Sequence, residues 1–176
     1  PGELPTGWGD QEAPARGRAD RHLGAVGVDG GLGAEQQAVA DAVVVQHLDG
    51  VEGLVPTLRV VPKTAGVARA AMEALLDSDK VRDTYPQIAT AIPSGTKLLG
   101  ISIKNGVATV DLSRDFESGG GSASAFYRLG QVVYTVTQFS TVRSVLFQVE
   151  GETVTTFGSE GLVLLGPQAR RDFRAQ

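Results

Sequence analysis

The residues of this chain that could do chemistry are few. Asp111, Asp115 and Glu117 follow one apolar run at short spacing. Carboxylates grouped this way can hold calcium or share acid–base work. The alternating ligands, central Gly and closing Glu of a calcium loop are missing, so a solvated loop is the expectation. Gly119-Gly120-Gly121-Ser122 lies between an extended run and a helical one, where phosphate-cradling loops sit. It has neither the Gly-Lys-Ser/Thr ending of a P-loop nor the Gly-x-Gly-x-x-Gly pattern, which leaves a connector with Ser122 or Ser124 as helix N-cap. The histidines are His22 and His47, and neither has metal-ligand spacing around it. No serine sits in a Gly-x-Ser-x-Gly elbow, and no histidine is placed to activate one. The absence of Cys removes thiolate catalysis, disulfides and Cys-based zinc sites together. The expectation is a protein without catalytic residues, metal or cofactor.

A different pattern appears at Tyr127, Gln131, Tyr134 and Gln138, which fall on one stripe of a helix. Amphipathic aromatics on a helix flank mark an interface in many assemblies. The same residues also suit the edge of a core, with rings packed and hydroxyls in water.

The elements around these residues follow from periodicity. The β-branched run at 43–45 and the stretch 54–61 read as two strands joined by a turn from Asp49-Gly50 to Gly53. Thr64 is placed to cap a helix over 65–76, where Val67, Ala71 and Leu75 share a face with Ala68, Met72 and Leu76 beside them. The segment 77–86 is polar and reads as a loop or a frayed extra turn of the helix. A strand over 97–104 presents Leu99, Ile101 and Ile103 on one side, and Asn105-Gly106 turns it into a second strand over 107–112. There Ala108, Val110 and Leu112 face one way. Phe126, Leu129, Val133 and Val136 make the apolar stripe of the second helix. A strand over 142–149 follows, with Val145, Phe147 and Val149 inward. Glu150-Gly151 turns into 152–156, and a last apolar stretch covers 162–165.

The order β-β-α-β-β-α-β-β implies an α+β domain with a single sheet and two amphipathic helices packed on one face. The open face would carry Ser102, Thr109, Asp111 and Gln148. Residues 1–40 are rich in Gly, Ala, Arg, Asp and Pro and read as a linker unable to bury enough apolar area to order itself. The domain is expected over 41–166, with a tail over 167–176.

Composition supports one domain. The chain has 176 residues, 41% of them hydrophobic but only 6% aromatic, so the core rests on Val, Leu, Ile and Ala. Sixteen basic residues stand against 20 acidic ones, a net charge of −4, and the basic residues are scattered, which argues against nucleic acid as a partner. No apolar run of about 18 residues is present to span a membrane.

Several blocks resemble the GerMN domain family of sporulation and spore germination proteins. Val67-Ala68-Arg69-Ala70-Ala71-Met72-Glu73-Ala74-Leu75-Leu76 is similar to the family's first helix. Ile92-Pro93-Ser94-Gly95-Thr96-Lys97-Leu98-Leu99, with Gly106-Val107-Ala108-Thr109-Val110-Asp111-Leu112-Ser113, is similar to its central hairpin. Gln131-Val132-Val133-Tyr134-Thr135-Val136-Thr137 and the run to Val149-Glu150-Gly151 are similar to its second helix and following strand. The likeness covers roughly 43–173.

The resemblance implies a non-catalytic module, similar to ring-building modules, that lies outside the cytoplasmic membrane, commonly in lipoproteins. Its partners would be like domains or other envelope proteins, and any membrane attachment would come through an anchor not contained in this chain. In many relatives a second domain follows the sequence that resembles 161–173. The lipid-bearing Cys of such lipoproteins has no counterpart here. A second reading is a module for cell-wall glycan or a small ligand in envelope signalling, with the open face of the sheet as its site.

Overall fold

The computed structural model describes residues 35–46, 52–77, 88–159 and 161–173. His22, His47, the turn at Asp49-Gly50 and nearly all of the loop 77–86 lie outside them. Strands β1 (Gln36–Gln46) and β2 (Glu52–Pro62) run antiparallel along their whole length, from Gln36 opposite Pro62 to Gln46 opposite Glu52. The short β3 (Ile88–Ala89) pairs with the other side of β1, giving the order β2-β1-β3. A second sheet holds β4 (Leu98–Lys104), β5 (Val107–Leu112), β6 (Ser144–Val149) and β7 (Glu152–Thr153) in that order. β8 (Thr156–Phe157) and β9 (Leu162–Val163) form a small separate hairpin. The helices are α1 (Val67–Leu76) and α2 (Ser122–Val136).

The Asn105-Gly106 hairpin forms as its residues require. Asn105 has φ 54° and Gly106 φ 83°, the positive values that a type I′ turn needs at both positions. The start of β6 is tied to this turn: Arg143 N–H donates to the Gly106 carbonyl at 2.7 Å, and the Arg143 guanidinium to that of Asn105 at 3.0 Å. β5 and β6 are parallel, so the chain must cross over between them, and α2 is that crossover. Alternation decides their faces: Ala108, Val110 and Leu112, with Val145, Phe147 and Val149, are buried.

The single sheet expected from the element order is replaced by separate sheets, with the helices covered from two sides. Alternation tells which residues of a strand face a core, but it does not tell which strands share a ladder. Ala71 of α1 packs with Val39 and Val61 of the first sheet, whereas Met72 and Leu75 enter the main core with β5 and β6. In α2 the six residues 128–133 are all buried, a run longer than one helical turn, so the helix is enclosed all round at that level. Gly130 makes the close approach possible: a Cβ there would stand 2.7 Å from Leu54 Cδ1 of β2 and 3.4 Å from Phe173 Cδ1.

Several boundaries differ from the expectation. β1 begins at Gln36, inside the stretch 1–40 whose composition reads as linker. The fold also continues past residue 166. Gln168 exchanges two backbone hydrogen bonds with Val145, and Phe173, in a 3-10 turn (Arg170–Phe173), is buried. α1 starts at Val67 with Gly66 as N-cap, and the Thr64 hydroxyl accepts the Gly66 N–H at 3.1 Å instead of capping the helix. α2 is capped by Gly121, with Ser122 already helical. β4 departs from strict alternation at a bulge between Leu98 and Gly100. Leu99 is thereby 46% exposed, and Ile103 is 43% exposed because β4 ends the sheet.

Candidate functional site

Two of the carboxylates singled out for chemistry, Asp111 and Asp115, are used to hold the fold. Asp111 Oδ1 accepts the Gly151 N–H at 2.9 Å, which fixes the β6–β7 turn. The Ser113 hydroxyl accepts the Lys97 N–H at 2.9 Å and donates to Asp115 Oδ2 at 3.2 Å. Glu150 Oε1 accepts the Arg114 N–H at 2.8 Å. Among the described residues no three His, Asp or Glu side chains gather as metal ligands would. Gly119 and Gly120 take φ of 66° and 77°, and the Gly119 carbonyl faces a cation of the protein itself, the Arg128 guanidinium at 3.0 Å.

No sequence motif points to that arginine. Arg128 is 2% exposed in the middle of α2. Its Nε donates to the Ala91 carbonyl at 3.0 Å, Nη1 to that of Phe116 at 2.6 Å, and Nη2 to that of Gly119 and to Ser124 Oγ at 3.4 Å. The guanidinium carbon lies 6.0 Å and 5.8 Å from the ring centres of Phe116 and Phe157. Burial disfavours the charged form and lowers its pKa from the ordinary arginine value, which is high enough that the ion persists at neutral pH. Carbonyl dipoles and ring faces surround the charge.

Gln131 lies on the same side of the helix, one turn on, and is fully buried. Its Oε1 accepts the Ala91 N–H at 2.8 Å and the Thr90 hydroxyl at 3.3 Å. Arg128 and Gln131 thus take both backbone groups of Ala91 and fasten the segment entering β4 to α2. This corrects the reading of Gln131 as an interface residue: a side chain with no exposed surface meets no partner. Replacing Gln131 by leucine keeps the volume but leaves the Ala91 N–H unpaired. A loss of about 1–3 kcal/mol is expected in urea unfolding. A loss below about 0.5 kcal/mol would contradict the clamp.

The other residues of that stripe are half-buried. Tyr127 packs edge-on against Phe126 at 5.9 Å between ring centres. Tyr134 lies under the Arg170 guanidinium at 5.0 Å, and Arg170 also donates to its carbonyl at 3.1 Å. Gln138 Nε2 donates to the Thr135 carbonyl at 2.6 Å. Much of the stripe is therefore occupied from within the chain.

Among the described residues, four of the six exposed large apolar side chains lie on the edge strands β2 and β4, and the other two are Val163 of β9 and Leu165 after it. Leu58 and Val60 of β2 are 48% and 54% exposed, and Leu99 and Ile103 belong to β4. Beside β4 runs a groove of about 510 Å³, whose lining includes Val67, Ala68, Ile101, Ile103, Phe139 and Thr141. The open face of the same sheet carries Thr109, Asp111 and Gln148, half-buried, with Ser102 exposed.

Comparison with known proteins agrees in one direction. The family model Germane, described as sporulation and spore germination, matches residues 35–155. Among solved structures, the first GerMN domain of the sporulation protein GerM from Bacillus subtilis superposes with a TM-score of 0.64 at 23% identity, covering 76% of this chain and 99% of that one. The tandem GerMN domains of the same protein give 0.64 at 19% identity over 78% of this chain and 47% of the tandem, so this chain spans about half of the tandem's length. A candidate lipoprotein from Clostridium perfringens gives 0.53 at 17% identity, over 78% and 89%. No curated protein sequence matches.

Proposed function

The chain belongs to the Germane family of sporulation and spore germination domains, and from that premise we propose that it is a non-catalytic assembly module of the bacterial envelope. The family is described by a process and not by a reaction. The observation that carries the reading is the placing of exposed apolar side chains on sheet edges, Leu58 and Val60 on one sheet and Leu99 and Ile103 on the other. Free edges of this kind offer both backbone hydrogen bonds and apolar contact to another chain. The likeness to a candidate lipoprotein supports a position outside the cytoplasmic membrane.

Light scattering behind size exclusion tests the proposal, with chemical crosslinking in envelope extract beside it. Concentration-dependent association, or a discrete crosslinked envelope protein, is expected. A chain that stays monomeric and yields no crosslinked partner sinks it. If that chain instead co-pellets with purified peptidoglycan, the wall-glycan reading takes its place, with Ser102, Thr109 and Gln148 as the hydrogen-bonding face.

A further inference from the structure

We infer that the free edge of β4 is an addition site for an extended, acidic segment of a different protein. This rests on the assembly reading and narrows it to one surface and one class of partner. Two long strands end their sheets, and they differ. β2 contains Pro56 and Pro62, which have no N–H to offer, so its outer ladder is interrupted. β4 contains no proline, and beyond its bulge residues 100–104 run regularly with nothing paired on the outer side among the described strands. An added strand would find the groove directly alongside, with Ile101, Ile103 and Phe139 to receive alternate side chains.

Charge decides the occupant. Arg69 lines the groove, and the segments 63–69, 97–106 and 139–143, from which its lining is drawn, also contain Lys63, Lys97, Lys104 and Arg143 and no acidic residue. All five are exposed, in a chain whose net charge is −4. Among the described residues Arg69 is paired only with Glu73 of the next helical turn, at 3.5 Å and in solvent, a contact worth little. A second copy of the chain is disfavoured, because β4 beside β4 would set one basic rim against another. A lipid tail could fill the groove but would leave the outward backbone groups of β4 unpaired. A polypeptide with apolar residues on one side and carboxylates on the other meets all three features at once.

The test uses the full chain, followed by amide resonances. The probes are two blocked synthetic peptides, one alternating valine with glutamate and the other valine with lysine. The glutamate peptide is expected to shift the amides of 100–104 and slow their exchange, binding about tenfold tighter than the lysine peptide. Lys97→Glu with Lys104→Glu, both exposed, should reverse that preference without changing the unfolding midpoint. Equal binding of the two peptides, or a preference unmoved by the charge swap, overturns the inference. Concentration-dependent shifts of 100–104 without peptide overturn it in favour of a second copy, and binding of phosphatidylglycerol vesicles with no response to either peptide overturns it in favour of a membrane surface. A chain that associates by light scattering while β4 ignores the glutamate peptide also overturns it, and leaves the assembly reading standing.

Discussion

Replacing Arg128 by methionine is expected to remove about 3–5 kcal/mol of folding free energy, a large share of the roughly 5–15 kcal/mol that holds a domain of this size. Methionine fills a similar volume, so the loss comes from polar groups and not from a cavity. The carbonyls of Ala91, Phe116 and Gly119 each lose a charged donor inside the protein. An acceptor left buried without a partner costs about 1–3 kcal/mol, and the three do not add fully because the loop 116–121 can relax toward water. Arg128→Lys should recover part of the loss, since one ammonium cannot reach three carbonyls in the plane of a guanidinium. Urea unfolding followed by circular dichroism measures all three proteins. A methionine variant within about 0.5 kcal/mol of the parent would mean that the guanidinium is not the pin of these segments.

Phe116→Ala is the second large effect, at about 3–5 kcal/mol. Phe116 is 1% exposed. Its ring stacks on Phe147 at 6.2 Å and 11°, and meets Phe157 at 5.2 Å and 50°. Alanine would leave a void among rings that belong to β6, to the β8–β9 hairpin and to the turn after β5, and none of these can move without the others. Because the Arg128 guanidinium lies over the same ring, the two substitutions should not be additive. A double-mutant cycle is expected to give a coupling of about 1 kcal/mol. Additivity within error would show that the arginine and the ring act separately.

Much of this architecture was legible in the residues, and the exceptions have physical causes. Asn105-Gly106 announces its hairpin because few other residues tolerate two positive φ angles in succession. The alternation in β5 and β6 is clean because both strands bury one face completely. β4 misleads, since a bulge moves Leu99 out of the alternation and an edge strand buries little even when apolar. Gln131 reads as a surface residue because its burial depends on the segment 90–92 passing over it, and that is a contact between elements 40 residues apart. The sequence does carry a trace of Arg128. This residue stands on the same helical stripe as Ala125, Val132 and Thr135, all of them buried, and a cation in such company must be satisfied from inside. The strand beginning at Gln36 was hidden by its neighbours: Ala38, Ala40 and Ala42 continue the small-residue composition of the preceding stretch, and only the ladder with β2 distinguishes them.

The enclosure of α2 also orders the ways in which this domain can come apart. Backbone amides at the level of 128–133 reach solvent only when a covering layer lifts away, so they belong to the unit of highest protection, which opens with global unfolding. The parallel β5–β6 ladder cannot be completed until the crossover helix has docked, which makes α2 an early participant in folding as well as the last element lost. The outer strand β4 stands at the opposite end of this hierarchy. A segment added to it works on the yielding margin of the domain and leaves its spine undisturbed.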